Sequence, residues 1–148
     1  MKKLLFLPAV FILLSAVPSP AQTPADAEAM VKKAVAFAKA NGKDKLVTET
    51  NATPSQFRKG EIYVFVLDGN GIVLGHAGNN KLVGKDLSQA KDPDGVQYVA
   101  ELVKVGKSKG KGWVDYKFVN PETKAIQAKT SYVEKFEDVF IGAGAYKK

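Results

Sequence analysis

Apolar residues recur at helical spacing near the start of the chain and cluster as strands over much of the remainder. Ala27, Met30, Val31, Ala34, Val35 and Ala38 fall three and four apart, with Lys32, Lys33 and Lys39 outside the stripe. This predicts an amphipathic helix that needs a sheet or another helix to cover. Thr23 as N-cap, Pro24 at the first helical position and Asp26 near the positive end of the dipole mark its start, and Asn41-Gly42 its end. A shorter helix is expected from about Asp44 to Thr50, broken by Ala52-Thr53-Pro54-Ser55.

The stretch Glu61 to Leu67 is rich in β-branched and aromatic residues, Asp68-Gly69-Asn70-Gly71 is a turn signal, and Ile72 to His76 is the returning strand. Asn79 to Gln89 reads as an irregular connection. Asp92-Pro93-Asp94-Gly95 is expected to open a second amphipathic helix, with Asp92 as cap, Val96, Val99, Ala100 and Val103 buried, and Gly106 at its end. Three strands follow, at about Gly112 to Val119, Ala125 to Val133 and Asp138 to Tyr146, the first two joined through Asn120-Pro121. The order of helix, hairpin, helix and three-strand meander predicts an α+β domain, one antiparallel sheet with helices against it.

Residues 1–21 read as a targeting segment. Lys2 and Lys3 form a positive start, Leu4 to Val17 a short apolar run interrupted by Pro8, and Ser19-Pro20-Ala21 offers small residues for cleavage. The run is shorter than the roughly 20 residues a membrane span needs. The expectation is export to the periplasm or outside the cell, cleavage near Ala21, and a single domain over 22–148. Composition agrees with a soluble globular chain, at 45% hydrophobic and 25% charged residues. With no cysteine, the core must hold without disulfides, and thiol, Cys-zinc and haem-attachment chemistry are excluded.

The formal net charge of +7 is spread along the chain. Its densest group, Lys104, Lys107, Lys109 and Lys111, sits among glycines and a serine and reads as a solvated loop. An exported chain has no nucleic-acid partner in prospect. A single His without accompanying carboxylate spacing argues against a metal site, and Asp68-Gly69-Asn70-Gly71 lacks the later ligands of a calcium loop. Ser131 and His76 have no strained elbow around the serine, and Glu134, Glu137 and Asp138 fall in a short turn. No catalytic constellation emerges, and neither an enzyme nor a cofactor is expected.

What remains is binding chemistry. The two strands around Asn120-Pro121 bring Trp113, Tyr116, Tyr132 and Lys129 within reach of a common cavity. Strand alternation sets Trp113 and Asp115 opposite Val114 and Tyr116, and Lys129 and Ser131 opposite Thr130 and Tyr132. A mid-strand lysine can give a carboxylate an ammonium partner, tyrosine hydroxyls can orient its second oxygen, and aromatic faces can enclose an aliphatic part. Each residue also has a plainer use: Trp113, Tyr63 and Phe65 as core, Lys129 as a solvated strand lysine, His76 bonded to loop backbone.

Tyr63-Val64-Phe65-Val66-Leu67-Asp68-Gly69-Asn70-Gly71, His76, Leu82-Val83-Gly84-Lys85-Asp86-Leu87, Asp94-Gly95, Gly112-Trp113-Val114-Asp115-Tyr116, Asn120-Pro121, Lys129-Thr130-Ser131-Tyr132-Val133 and Ile141-Gly142-Ala143-Gly144-Ala145-Tyr146 occur in that order. Together they resemble the single Cache domain, an extracytoplasmic sensor module, over essentially the whole of 22–148. The resemblance implies a PAS-like, five-stranded antiparallel sheet with a long N-terminal helix behind it and a ligand pocket on the other face. It implies a small organic ligand, often a short carboxylate, and makes Lys129 the leading contact. Tyr116, Tyr132 and His76 become candidate orienting donors, and Trp113, Tyr63 and Phe65 candidate walls. Where the family pattern runs His-Pro, this chain has His76-Ala77. The expected protein is a monomer or weak homodimer that binds a small anion; the alternative is an interaction protein that modulates a membrane receptor without a ligand of its own.

Overall fold

A computed structural model describes residues 21–148 and the isolated Ser15. The targeting segment expected over 1–21 lies almost entirely outside the described residues. The first helix, α1, runs Pro24–Asn41. Its start is a reciprocal capping box: Thr23 Oγ1 accepts the Asp26 N–H, and Asp26 Oδ2 accepts the Thr23 N–H at 2.8 Å. Gly42, at φ 89°, closes α1 and is followed at once by α2, Lys43–Asn51. Among the described residues no helix is long and apolar enough to cross a membrane.

A two-residue ribbon, β1 (Arg58–Lys59) with β2 (Ile62–Tyr63), precedes the main sheet. The sheet comprises β3 (Phe65–Asp68), β4 (Val73–His76), β5 (Lys111–Val119), β6 (Ile126–Phe136) and β7 (Val139–Tyr146). Its spatial order is β4-β3-β7-β6-β5, and every pair is antiparallel. The expected hairpin forms through the Asp68 turn, where Asp68 Oδ1 accepts the N–H groups of Asn70 and Ile72.

Strand alternation divides the interior in two. One face carries Val64, Val66, Tyr132, Ile141 and Ala143 and is covered by the apolar stripe of α1, with Leu46 of α2 and Phe57 alongside. The opposite face carries Phe65, Leu67, Tyr116, Val133, Phe140 and Tyr146 and is covered by α3, Tyr98–Lys109. The α1 face is a core of mainly aliphatic and small residues with Phe57 and Tyr132 among them, whereas the α3 face is richer in aromatic rings and holds Lys129.

The second helix departs from expectation at both ends. Asp92 does not cap α3, which begins at Tyr98. Instead Asp92 Oδ1 accepts the N–H groups of Asp94 and Val96, and Oδ2 accepts the Lys117 N–H at 2.9 Å. Asp92 therefore pins the connection before α3 to β5. Nor does Gly106 end the helix. It is buried against Phe140, whose ring a Cβ at Gly106 would strike, and termination falls to Gly110 at φ 77°.

Candidate functional site

The α3 face encloses a cavity of about 30 Å³. Its lining comes from every layer around it: Tyr63, Phe65 and Leu67 before the hairpin turn, Val73 and His76 of β4, Leu82 and Leu87 of the connection, Tyr98, Val99 and Leu102 of α3, Tyr116 and Phe118 of β5, and Lys129 of β6. Thus Tyr63, Phe65, His76, Tyr116 and Lys129, all singled out in the sequence, meet at one place.

Register puts Lys129 at the centre. It pairs with Tyr116 on one side and Tyr146 on the other, so three side chains form a row across β5, β6 and β7. The lysine is 1% exposed, and its Nζ donates to the Tyr63 hydroxyl at 2.9 Å. Nζ also lies 4.3 Å from the Tyr63 ring centroid and 5.1 Å from that of Tyr146, with the Phe65, Phe118 and Tyr116 rings slightly farther away. These π faces favour a cation. Among the described residues, none of the ion pairs involves Lys129, and the cavity lining contains no Asp or Glu. Burial lowers its pKa from 10.5 to about 7.

Two hydroxyl networks flank the amine. Tyr63 Oη lies 3.0 Å from Tyr146 Oη, which donates to the Val119 carbonyl at 2.7 Å. Tyr116 Oη lies 2.8 Å from Ser131 Oγ. Burial raises the pKa of both Tyr63 and Tyr116, and both phenols stay protonated.

His76 is held from behind. Its backbone N–H donates to Asn51 Oδ1, while its Nδ1 accepts the Asn79 N–H at 2.8 Å. An Nδ1 acceptor requires the proton of the neutral ring to sit on Nε2, which gives the cavity a donor. Burial first, then the charges of Lys129 and Arg58, lower its pKa to about 3, so the ring is neutral at physiological pH. Its ring centroid stands 4.9 Å from that of Tyr63.

The floor depends on glycine. On β7, a Cβ at Gly142 would strike the Phe65 ring, and one at Gly144 would strike Ser131 Oγ and crowd Lys129 Cε. These alternate positions leave room above the strand for the aromatic ring and the amine stem.

Trp113 and Tyr132 lie elsewhere. They pair across β5 and β6 with ring centroids 5.3 Å apart, but on the α1 face, and Trp113 is 41% exposed. Tyr132 Oη donates to Glu134 and its ring packs in the α1 core. Both are an odd number of positions from the cavity residues on their own strands, Trp113 from Tyr116 and Tyr132 from Lys129, so the pleat turns them away. Sequence reasoning did not assign Ser131, Tyr146, Gly144, Tyr98, Phe118 or the two leucines of the connection to the site. For Ser131 and Phe118, the signal was face parity with Lys129 and Tyr116 on their own strands; Tyr146 and the leucines carried none.

The family model for single Cache domain 2 matches residues 13–148. Methyl-accepting chemotaxis protein McpP of Pseudomonas putida is 34% identical over 86 residues, a match that covers 57% of this chain and 16% of that protein. The chain therefore corresponds to a small part of that relative. A methyl-accepting chemotaxis protein from Vibrio parahaemolyticus superposes with a TM-score of 0.71 at 26% identity, over 82% of this chain and 86% of that one. A Cache chemosensory domain, reported under the heading of carboxylic acid recognition, superposes at 0.65 and 27% identity over 82% of this chain and 86% of that one.

Proposed function

The chain belongs to the single Cache domain 2 family of sensor domains, and from that premise we propose that its cavity binds a small organic anion, a short monocarboxylate. The observation that carries the reading is Lys129, a buried amine with a hydroxyl partner and no carboxylate beside it. A buried ammonium without a counter-charge is costly, and an entering anion offsets that cost with a charge-assisted hydrogen bond.

The rest of the lining narrows the class. One lysine calls for one carboxylate, and the absence of an acidic side chain leaves an amino acid's ammonium without a partner. Beyond Lys129 and His76 the walls are aromatic and aliphatic, which fits a short hydrocarbon tail. A free volume of about 30 Å³ suits a ligand of few atoms. In this reading Lys129 and His76 Nε2–H hold the carboxylate, the Tyr116 hydroxyl orients it, and Phe65 and Phe118 enclose the tail. The related carboxylic-acid-recognising domain supports the same ligand class.

The proposed setting is outside the cytoplasm, supported by the basic-then-apolar pattern of Lys2 to Val17 and by the family. A membrane-receptor context belongs to the same proposal, supported by the likeness to a region of a chemotaxis receptor. A thermal-shift series with acetate, propionate, succinate and alanine tests the reading. Acetate or propionate should raise the melting temperature by mass action, and succinate and alanine should not. Stabilisation by alanine, or by none of the four, would overturn it.

A further inference from the structure

We propose that Tyr146, acting with the Val119 carbonyl, is a positioning residue for the anion site: it fixes the direction of the hydrogen-bond chain so that the Tyr63 hydroxyl accepts from Lys129 and cannot donate to it. This rests on the reading of Lys129 as the partner of the ligand's charge. Tyr146 is not itself among the residues lining the cavity, so its effect passes through Tyr63.

The direction follows from counting protons. A phenol carries one, and that of Tyr146 goes to the Val119 carbonyl at 2.7 Å, an oxygen that can only accept. The 3.0 Å contact between the Tyr63 and Tyr146 hydroxyls must then use the proton of Tyr63. The Tyr63 oxygen is left with lone pairs facing Lys129 Nζ at 2.9 Å. Burial raises the pKa of both phenols, that of Tyr146 to about 12, so neither loses its proton near neutrality.

The consequence falls on the lysine. An acceptor beside the amine favours the ammonium, whereas a hydroxyl free to reverse would donate to the lone pair of the neutral amine and favour that form instead. Around Lys129 stand Tyr63, Phe65, Phe118, Tyr116, Tyr146 and neutral His76, with no carboxylate in the lining to hold the charge. Burial has already brought the amine close to neutrality, so the orientation of one O–H decides which form prevails near pH 7. Tyr146 thereby sets the pH range over which the site can take an anion.

The test uses the full chain with ¹³C-labelled lysine, following the Lys129 Cε resonance against pH in wild type, Tyr146→Phe and Tyr63→Phe. Tyr146→Phe should lower the Lys129 midpoint by about one unit, which weakens acetate and propionate binding about tenfold at pH 8 and less than about twofold at pH 5.5. Tyr63→Phe should lower the midpoint as well. A shift in Tyr63→Phe with none in Tyr146→Phe would overturn the inference. On the unmodified chain, the Tyr63 hydroxyl proton should show a stronger nuclear Overhauser contact to the Tyr146 ring than to the Lys129 Cε protons; the reverse order would overturn the inference without any variant. If wild type binds neither acetate nor propionate, the proposed ligand class fails, while the lysine titration still decides the role of Tyr146.

Discussion

Gly144 lies against Lys129 on the neighbouring strand, where a Cβ would stand 2.5 Å from Lys129 Cε and 2.7 Å from the Thr130 carbonyl oxygen. One of these neighbours is backbone, so rotation of a side chain alone cannot relieve the crowding. Gly144→Ala should therefore cost about 1 to 3 kcal/mol of stability, as overpacking does. It should also weaken acetate binding by displacing the amine. Denaturant unfolding and calorimetry on one preparation check both, and unchanged stability would show that the floor has slack.

The depressed pKa of Lys129 predicts how ligand-free stability varies with pH. Between about pH 7 and the ordinary lysine value of 10.5, the unfolded chain holds a proton that the folded chain has released. Stability contributed by this group must therefore rise with pH across that window, with the cost of the buried charge fully present below it. Unfolding measured from pH 6 to 9.5 should show a rise that Lys129→Met removes. A wild-type profile matching that of the variant would contradict the assignment.

Binding should consume a proton for the same reason. Above about pH 7 the free amine is largely neutral and must recharge to meet an anion. Titrations with acetate at pH 8.5 in buffers of different ionisation enthalpy should reveal uptake approaching one proton, declining as the pH falls through 7. His76, with its pKa near 3, should contribute none of this, so His76→Gln should keep the uptake even where it weakens binding.

Trp113 and Tyr132 serve as internal controls. Because both lie on the α1 face, Trp113→Ala and Tyr132→Phe should leave carboxylate affinity within about twofold of wild type. Trp113 is partly exposed, so its truncation should cost about 1 kcal/mol rather than the roughly 3 to 5 kcal/mol of a buried aromatic. A loss of binding in folded Trp113→Ala would mean that the cavity extends through the sheet.

Much of this organisation was legible in the residues. The Ala-Val stripe of α1, its Thr23 cap, the Asp68 turn and the meander from Gly112 to Tyr146 all carry local signals, because spacing and turn chemistry act within a few residues. The cavity was harder to read. Trp113 and Lys129 belong to adjacent strands, and grouping them overlooked the register that pairs Tyr116 with Lys129 and Trp113 with Tyr132. Register is set by the whole sheet and is not written in either strand alone. Asp92 misled for a related reason: an Asp before a helical pattern serves a cap or a loop equally well, and its second oxygen found the Lys117 N–H, 25 residues away. Tyr146 belongs to the site only because β7 lies beside β6, a fact of topology.

The most direct measurement is a calorimetric titration of acetate and propionate into wild type and Lys129→Met at pH 6.5, with folding of both confirmed by their melting curves. Methionine keeps much of the apolar stem and removes the charge. Wild type should bind at least one of the two acids, and Lys129→Met should lose about 1.5 to 3 kcal/mol, the range for a hydrogen bond to a charged group. Equal affinity in a folded Lys129→Met would contradict the anion site at its centre.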